Sequence, residues 1–154
     1  TALCFLRSFE RRSPGWAADA RGAIVGLRLH TSPIEILRAA LEAVGLYFAR
    51  LDATVRRAVP ETREVIGTGG ALLHSPAWLQ IMADALGQPV LASAEPEASS
   101  RGAALLALEL LGALPDGLEA LAPPIDRAYE PIPAHTERYR TAAERQARLY
   151  EALE

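Results

Sequence analysis

Between Ile34 and Val59 the large apolar residues keep to one helical face: Ile34, Leu37, Leu41, Val44, Phe48, Leu51, Val55 and Val59. Steps of three and four residues are the period of an α-helix, and Glu35, Arg38, Glu42, Arg50, Asp52 and Arg56 fall largely outside the stripe. Ser32-Pro33 supplies an N-cap and a first-turn proline, and Pro60 closes the run. A helix of about seven turns needs a broad surface to lie on. The stripe is therefore expected to be buried, against the core or a neighbouring domain.

The segments on either side suggest what that surface is. Residues 3–6 and 23–27 read as short strands, separated by a charged loop over residues 7–22 that holds Ser13-Pro14-Gly15-Trp16. After the long helix, residues 64–67 form a strand candidate, and Ser75-Pro76 opens a helix with Trp78, Ile81, Met82, Ala85 and Leu86 at helical spacing, ended by Gly87. Pro89-Val90-Leu91 reads as a buried strand. Ser99 or Ser100 opens a further helix with Ala103, Leu106, Leu110 and Leu111 on its apolar side. Residues 112–133, rich in proline, read as loop, and a last amphipathic helix over 134–153 packs Tyr139, Ala143, Ala147 and Tyr150. Strands alternating with helices indicate an α/β domain, helices flanking a mixed sheet.

Several function classes drop out on composition. The 154 residues fit one domain with a proper core, and a net charge of −3 with scattered basic residues gives no stripe to neutralise a nucleic-acid backbone. Cys4, the only cysteine, excludes a disulfide within one chain and a cysteine-rich metal site, and reads as a small buried hydrophobe. His30, His74 and His135 are far apart and their spacing suggests no metal centre. No apolar run is long enough to cross a bilayer, and the first residues lack the pattern of a secretory signal, so no membrane and a cytoplasmic setting are the expectation. The chain opens directly on an apolar segment, as the interior of a longer polypeptide would.

Chemistry is best sought in Val65-Ile66-Gly67-Thr68-Gly69-Gly70-Ala71, followed by the helix at Ser75. Side-chain-free Gly69 and Gly70 allow backbone amides to come close to an anion or flat ligand, and glycine tolerates a positive φ there. The helix start adds unpaired N–H groups. A Gly-Gly turn is also a common architectural device. Likewise Ser75 reads as a helix cap as readily as a ligand contact, and His74 as a solvated residue. No Gly-Lys-Ser/Thr follows, and the dinucleotide glycine spacing is absent. Arg11 and Arg12 suit phosphates or carboxylates, or equally a salt-bridged surface loop. Glu95 and Glu97 read as solvent-facing charge.

Four blocks together resemble the carboxy-terminal domain of the FGGY carbohydrate kinases. They are Glu10-Arg11-Arg12-Ser13-Pro14-Gly15-Trp16 through Asp19-Ala20-Arg21-Gly22-Ala23 to Gly26-Leu27; Leu37-Arg38-Ala39-Ala40-Leu41-Glu42-Ala43-Val44; Thr68-Gly69-Gly70-Ala71 with Ser75-Pro76-Ala77-Trp78 through Gly87-Gln88-Pro89-Val90; and Glu97-Ala98-Ser99-Ser100-Arg101-Gly102-Ala103-Ala104. The first block departs from the family's usual Gly-Glu-Arg-Ser-Pro, with Arg11 where an acid is common, and the segment from Gly70 to Ser75 is slightly longer than in many relatives. The stretch at Ser13-Pro14-Gly15-Trp16 and the chain from Tyr129 onward are more similar to gluconate kinases than to glycerol kinases, with xylulose and other pentulose kinases close.

The resemblance implies an actin-like, ribonuclease H-like clamp in which ATP and a sugar bind between two domains. Residues 1–154 would be the nucleotide-side domain, with Gly69, Gly70 and Ala71 against the nucleotide, Ser75 and His74 beside the adenine, and Gly102 packing behind the pocket. ATP and Mg²⁺ are the implied cofactors. The partner would be an amino-terminal domain of the same kinase carrying the sugar or sugar acid and the catalytic acid, so this half would hold no catalytic residue, bind no metal through its own side chains and be inactive alone. A homodimer is also compatible with the family. A non-catalytic actin-like nucleotide-binding or scaffold domain is the alternative.

Overall fold

A computed structural model describes residues 3–5, 23–62 and 64–152. The loop over residues 7–22 with its Arg11-Arg12 block, and the side chains of Cys4 and Tyr150, lie outside the described ones. Strands β1 (Leu3–Phe5) and β2 (Ala23–Val25) pair antiparallel, and β1 lies against α1 (Pro33–Ala58). Then come β3 (Val65–Gly67), a single turn α2 (Gly70–Leu73), α3 (Pro76–Leu86), β4 (Val90–Ser93), α4 (Ala98–Leu110), a 3-10 turn at Leu118–Ala120, β5 (Ile125–Tyr129) and α5 (Pro133–Ala152). The second sheet has the order β3-β4-β5, parallel between β3 and β4 and antiparallel between β4 and β5. This is the expected mixed sheet with flanking helices. Residues 112–133 are not all loop, however: β5 lies within them, as an exposed edge strand hidden in sequence by the prolines on either side of it and by its charges.

Helix α1 begins at the expected cap. The Ser32 N–H and hydroxyl both donate to the Glu35 carboxylate at 2.8 Å, which holds that carboxyl below its usual range. At the other end the Val59 N–H donates to Val55 O, and Pro60 follows. The buried side of α1 is Ala39, Ala43, Gly45 and Leu46, not the stripe of larger residues. Small residues let α1 and α3 approach closely: a Cβ on Gly45 would sit 3.4 Å from Ala85 Cβ and Ile81 Cγ2. Leu41 and Val44 are half-buried, whereas Ile34, Leu37, Phe48, Leu51, Val55 and Val59 are exposed, so the described residues do not themselves cover the stripe, and of the two expected covers a neighbouring domain is the one left.

The core lies between α3 and the second sheet, where Leu79, Met82 and Ala83 meet Val90 and Ala92, with Val65, Leu72, Trp78, Leu86 and Tyr129 packed around them. Gly87 closes α3 in the left-handed region (φ 67°), its N–H donating to Ala83 O. Helix α4 begins one residue before the expected serines, after Glu97 and without a side-chain cap, and buries no residue. On α5, Tyr139 and Gln146 are buried and Ala143 is half-buried, while Ala147 is exposed. No helix among the described residues is long and apolar enough to cross a membrane.

Candidate functional site

Strand β3 ends in a residue with little room for a side chain. A Cβ on Gly67 would lie 3.2 Å from the Cδ2 atoms of Leu72 and Leu79, so the chain leaves the sheet against the packed core. Thr68 carries it outward, and Gly69 then turns it with φ 92° and ψ 135°, a conformation open in practice to glycine alone. The positive φ therefore belongs to Gly69. Gly70 is an ordinary first helical residue, contrary to the expectation that the turn strains it.

Leu72 and Leu73 N–H groups donate to Gly69 O at 3.1 and 3.0 Å, the first bonds of α2. The N–H groups of Gly70 and Ala71 lie ahead of those bonds, at the exposed front of the turn. A Cβ at Gly69 would meet nothing within 4 Å. Among the described residues no side chain walls off Gly69, so the backbone there is open to an anionic or flat ligand. Thr68, Gly69, Gly70 and Ala71 form one end of a groove of about 470 Å³ whose apolar remainder includes Val44, Phe48 and Val65.

The two other sequence candidates point elsewhere. His74 is exposed, and its Nδ1–H donates to Gly70 O at 2.7 Å, tying off the end of α2. Ser75 caps α3 by accepting from the Trp78 N–H at 3.3 Å. Neither lines the groove. Gly102, expected to pack closely behind the pocket, is exposed with nothing within 4 Å of a built Cβ, because α4 stands clear of the core there. Among the described residues no group of three or more His, Cys, Asp and Glu is arranged to hold a metal ion.

Sequence reasoning missed a buried carboxylate. Asp84, on α3, is 2% exposed, and its Oδ1 accepts from the Ile132 N–H at 2.8 Å and from Gln80 Nε2 at 3.0 Å. Its Oδ2 accepts from His135 Nδ1 at 2.9 Å. Asp84 thus fastens α3 to the start of α5, a structural clasp rather than a catalytic group. The negative charge also suits the positive end of α5. A second groove, of about 510 Å³, runs between α1 and α5 past Arg38, Glu42 and Tyr139. Its central groups are already paired: Arg38 Nε donates to Glu42 at 2.8 Å, and the Tyr139 hydroxyl donates to the same oxygen at 3.2 Å. Burial, then the Glu42 charge, pushes the Tyr139 hydroxyl up to about 12.

Known proteins give this geometry its context. The family model for the FGGY family of carbohydrate kinases, C-terminal domain, matches residues 4–109. A glycerol kinase from Chelativorans sp. (strain BNC1) is 36% identical over 122 residues, covering 77% of this chain and 24% of its own length. The crystal structure of xylulose kinase from Rhodospirillum rubrum superposes with a TM-score of 0.76 at 29% identity, over 99% of this chain and 30% of that one. Gluconate kinase from Lactobacillus acidophilus gives a TM-score of 0.70 at 25% identity, over 90% and 28% of the two chains. This chain spans about a quarter of the length of the curated relatives it matches.

Proposed function

Because the chain belongs to the FGGY family of carbohydrate kinases, as its C-terminal domain, we propose that it forms the ATP side of the interdomain cleft in a sugar or sugar-acid kinase and is inactive alone. The observation that carries this reading is the exposed turn Gly69-Gly70-Ala71, where the Gly70 and Ala71 amides precede the first bond of α2 and, among the described residues, no side chain stands within 4 Å of a Cβ built on Gly69. ATP supplies the γ-phosphoryl group. The Gly70 and Ala71 amides hold and orient its phosphates, and fixed N–H dipoles of this kind lower the barrier without reorganising. Mg²⁺, the family's implied cofactor, would offset charge on the phosphates. The amino-terminal domain holds the acceptor and the acid that takes its hydroxyl proton, and closure of the two halves excludes water in a cytoplasmic enzyme.

The acceptor stays broad. Matched proteins are named as kinases of glycerol, xylulose and gluconate, and the 36% identical relative favours a small polyol as the second reading.

Gly70 gives a clean test. Its φ is ordinary, and an added Cβ meets only the His74 ring, at 3.7 Å, so Gly70→Ala leaves the fold intact. In the full-length kinase, Gly70→Ala is expected to weaken ATP binding several-fold and Gly70→Val by about tenfold or more, ~1.4 kcal/mol, with acceptor affinity little changed. Calorimetric titration of both ligands on the three proteins decides the matter. Unchanged ATP affinity in folded Gly70→Val returns the turn to a purely architectural role. The isolated 154-residue chain is expected to show no sugar-dependent ATP turnover, and robust magnesium-dependent phosphorylation by it would overturn the division of labour.

A further inference from the structure

The groove of about 510 Å³ between α1 and α5 holds charges that the fold does not balance. Its wall on α5 includes His135, Arg138 and Arg145, whose spacings of three and seven residues put them on one helix face. Across from them on α1 stand Glu35, Arg38 and Glu42. Both carboxylates are engaged: Glu35 accepts from the Ser32 N–H and hydroxyl, and Glu42 accepts from Arg38 and Tyr139. The arginines of α5 fare unequally. Arg140, outside the groove, donates to Glu137 at 2.6 Å and to Glu144 at 3.1 Å. Arg138 and Arg145, on the groove, have no hydrogen bond or ion pair among the described residues.

Two such guanidiniums in one concavity repel each other and attract a counter-ion. Each presents a planar fork of N–H donors that matches the paired oxygens of a phosphoryl group. Seven residues of helix set them about 10.5 Å apart along the axis. Their flexible side chains can converge on one phosphoryl group or take the two ends of a diphosphate. His135 gives Nδ1 to Asp84, which leaves Nε2 to the groove. The Arg38–Glu42 pair has no net charge, and Glu35 is held at the Ser32 cap, so neither carboxylate offsets the two arginines. We propose that this groove binds a small phosphorylated anion of two or more negative charges, held by Arg138 and Arg145 with His135 alongside. The groove shares no residue with the one at Gly69-Gly70-Ala71. The anion is therefore a second ligand, distinct from the nucleotide of the proposed reaction, and bound there it bridges α1 and α5.

The test uses the full-length kinase and inorganic pyrophosphate, titrated calorimetrically without magnesium. Wild type is expected to bind the probe at a site that Arg138→Gln or Arg145→Gln weakens about tenfold or more. Both side chains are exposed, so the variants keep the fold, which circular dichroism verifies. Arg140→Gln removes the same charge outside the groove and should leave that affinity unchanged. Malonate, a small dicarboxylate, should bind more weakly than pyrophosphate. An equal loss in Arg140→Gln would reduce the effect to net charge, and malonate binding as tightly would deny the phosphoryl class; either result overturns the proposal. So would the absence of any binding that depends on Arg138 and Arg145. A lowered Tm of Arg138→Gln/Arg145→Gln in that case would mark a carboxylate from elsewhere in the polypeptide as their partner. The KM for ATP should be unchanged in these variants, and its rise in step with the loss of pyrophosphate binding would assign the arginines to the nucleotide site instead. Failure of wild type to phosphorylate any sugar would sink the kinase reading and leave the pyrophosphate result standing.

Discussion

Gly87 joins two independent constraints at one atom, and Gly87→Ala separates them. The residue ends α3 with φ 67° and ψ 23°, its N–H donating to Ala83 O. A side chain in that region costs about 1–2 kcal/mol whatever surrounds it. The new Cβ would also stand 3.2 Å from Thr136 Cγ2, in the first turn of α5. That is a few tenths of an ångström inside the optimum for carbon atoms, and relaxing it adds up to about 1 kcal/mol of overpacking. The expected total is therefore about 2–3 kcal/mol. Thr136→Ser removes Cγ2 and keeps the hydroxyl, so the pair Gly87→Ala/Thr136→Ser should recover the overpacking and leave the backbone strain. Gly87→Asn, which tolerates the left-handed region better, should cost less than alanine. Urea denaturation of the four variants and wild type, followed by far-ultraviolet circular dichroism, measures all of these terms. A Gly87→Ala midpoint equal to wild type would refute the strain account, and no recovery in the double variant would refute the contact with Thr136.

Three further outcomes follow from the packing. Tyr139 has its hydroxyl raised from 10.0 to about 12, so the unfolded chain ionises first: its contribution is complete below pH 10 and is lost as pH rises through about 12. The wild-type protein should lose stability across that window relative to Tyr139→Phe, and parallel curves for the two would sink the assignment. Asp84→Ala strips acceptors from Ile132, Gln80 and His135 and should cost about 2–4 kcal/mol, whereas His135→Ala, at the more exposed end of the clasp, should cost about 1 kcal/mol or less; equal shifts in Tm would deny Asp84 its central place. Gly45→Ala meets neighbours only at 3.4 Å and gains helix propensity, so it should be neutral or slightly stabilising, while Gly45→Leu wedges α1 from α3 at a cost of about 3 kcal/mol; a tolerated leucine would mean the helices do not pack as closely as described.

What was legible in the sequence was the local part of the structure. Ser32-Pro33, Ser75-Pro76 and Gly87 mark helix ends because capping acts within a turn of the residue responsible, and each marks a helix end here. The Gly69-Gly70 turn was visible for the same reason, although the residue that needs a positive φ proved to be the first of the pair. Features set by distant neighbours could not be read in this way. Asp84 meets Ile132 and His135 at separations of 48 and 51 residues, and a lone aspartate inside an apolar helix pattern gives no hint of those partners. Strand β5 lacks alternation because it is an exposed edge, so its five residues resemble the proline-rich connections around them. The α1 stripe is the most informative case. A period of three to four residues establishes a helix and its apolar face, but not which part of the chain covers that face. Within these residues α3 takes the neighbouring face of small side chains, Ala39, Ala43 and Gly45, because two helices approach best there. Phe48 is left bare on the groove it lines with Val65 and Ile66, on a face whose cover the helical period alone does not name.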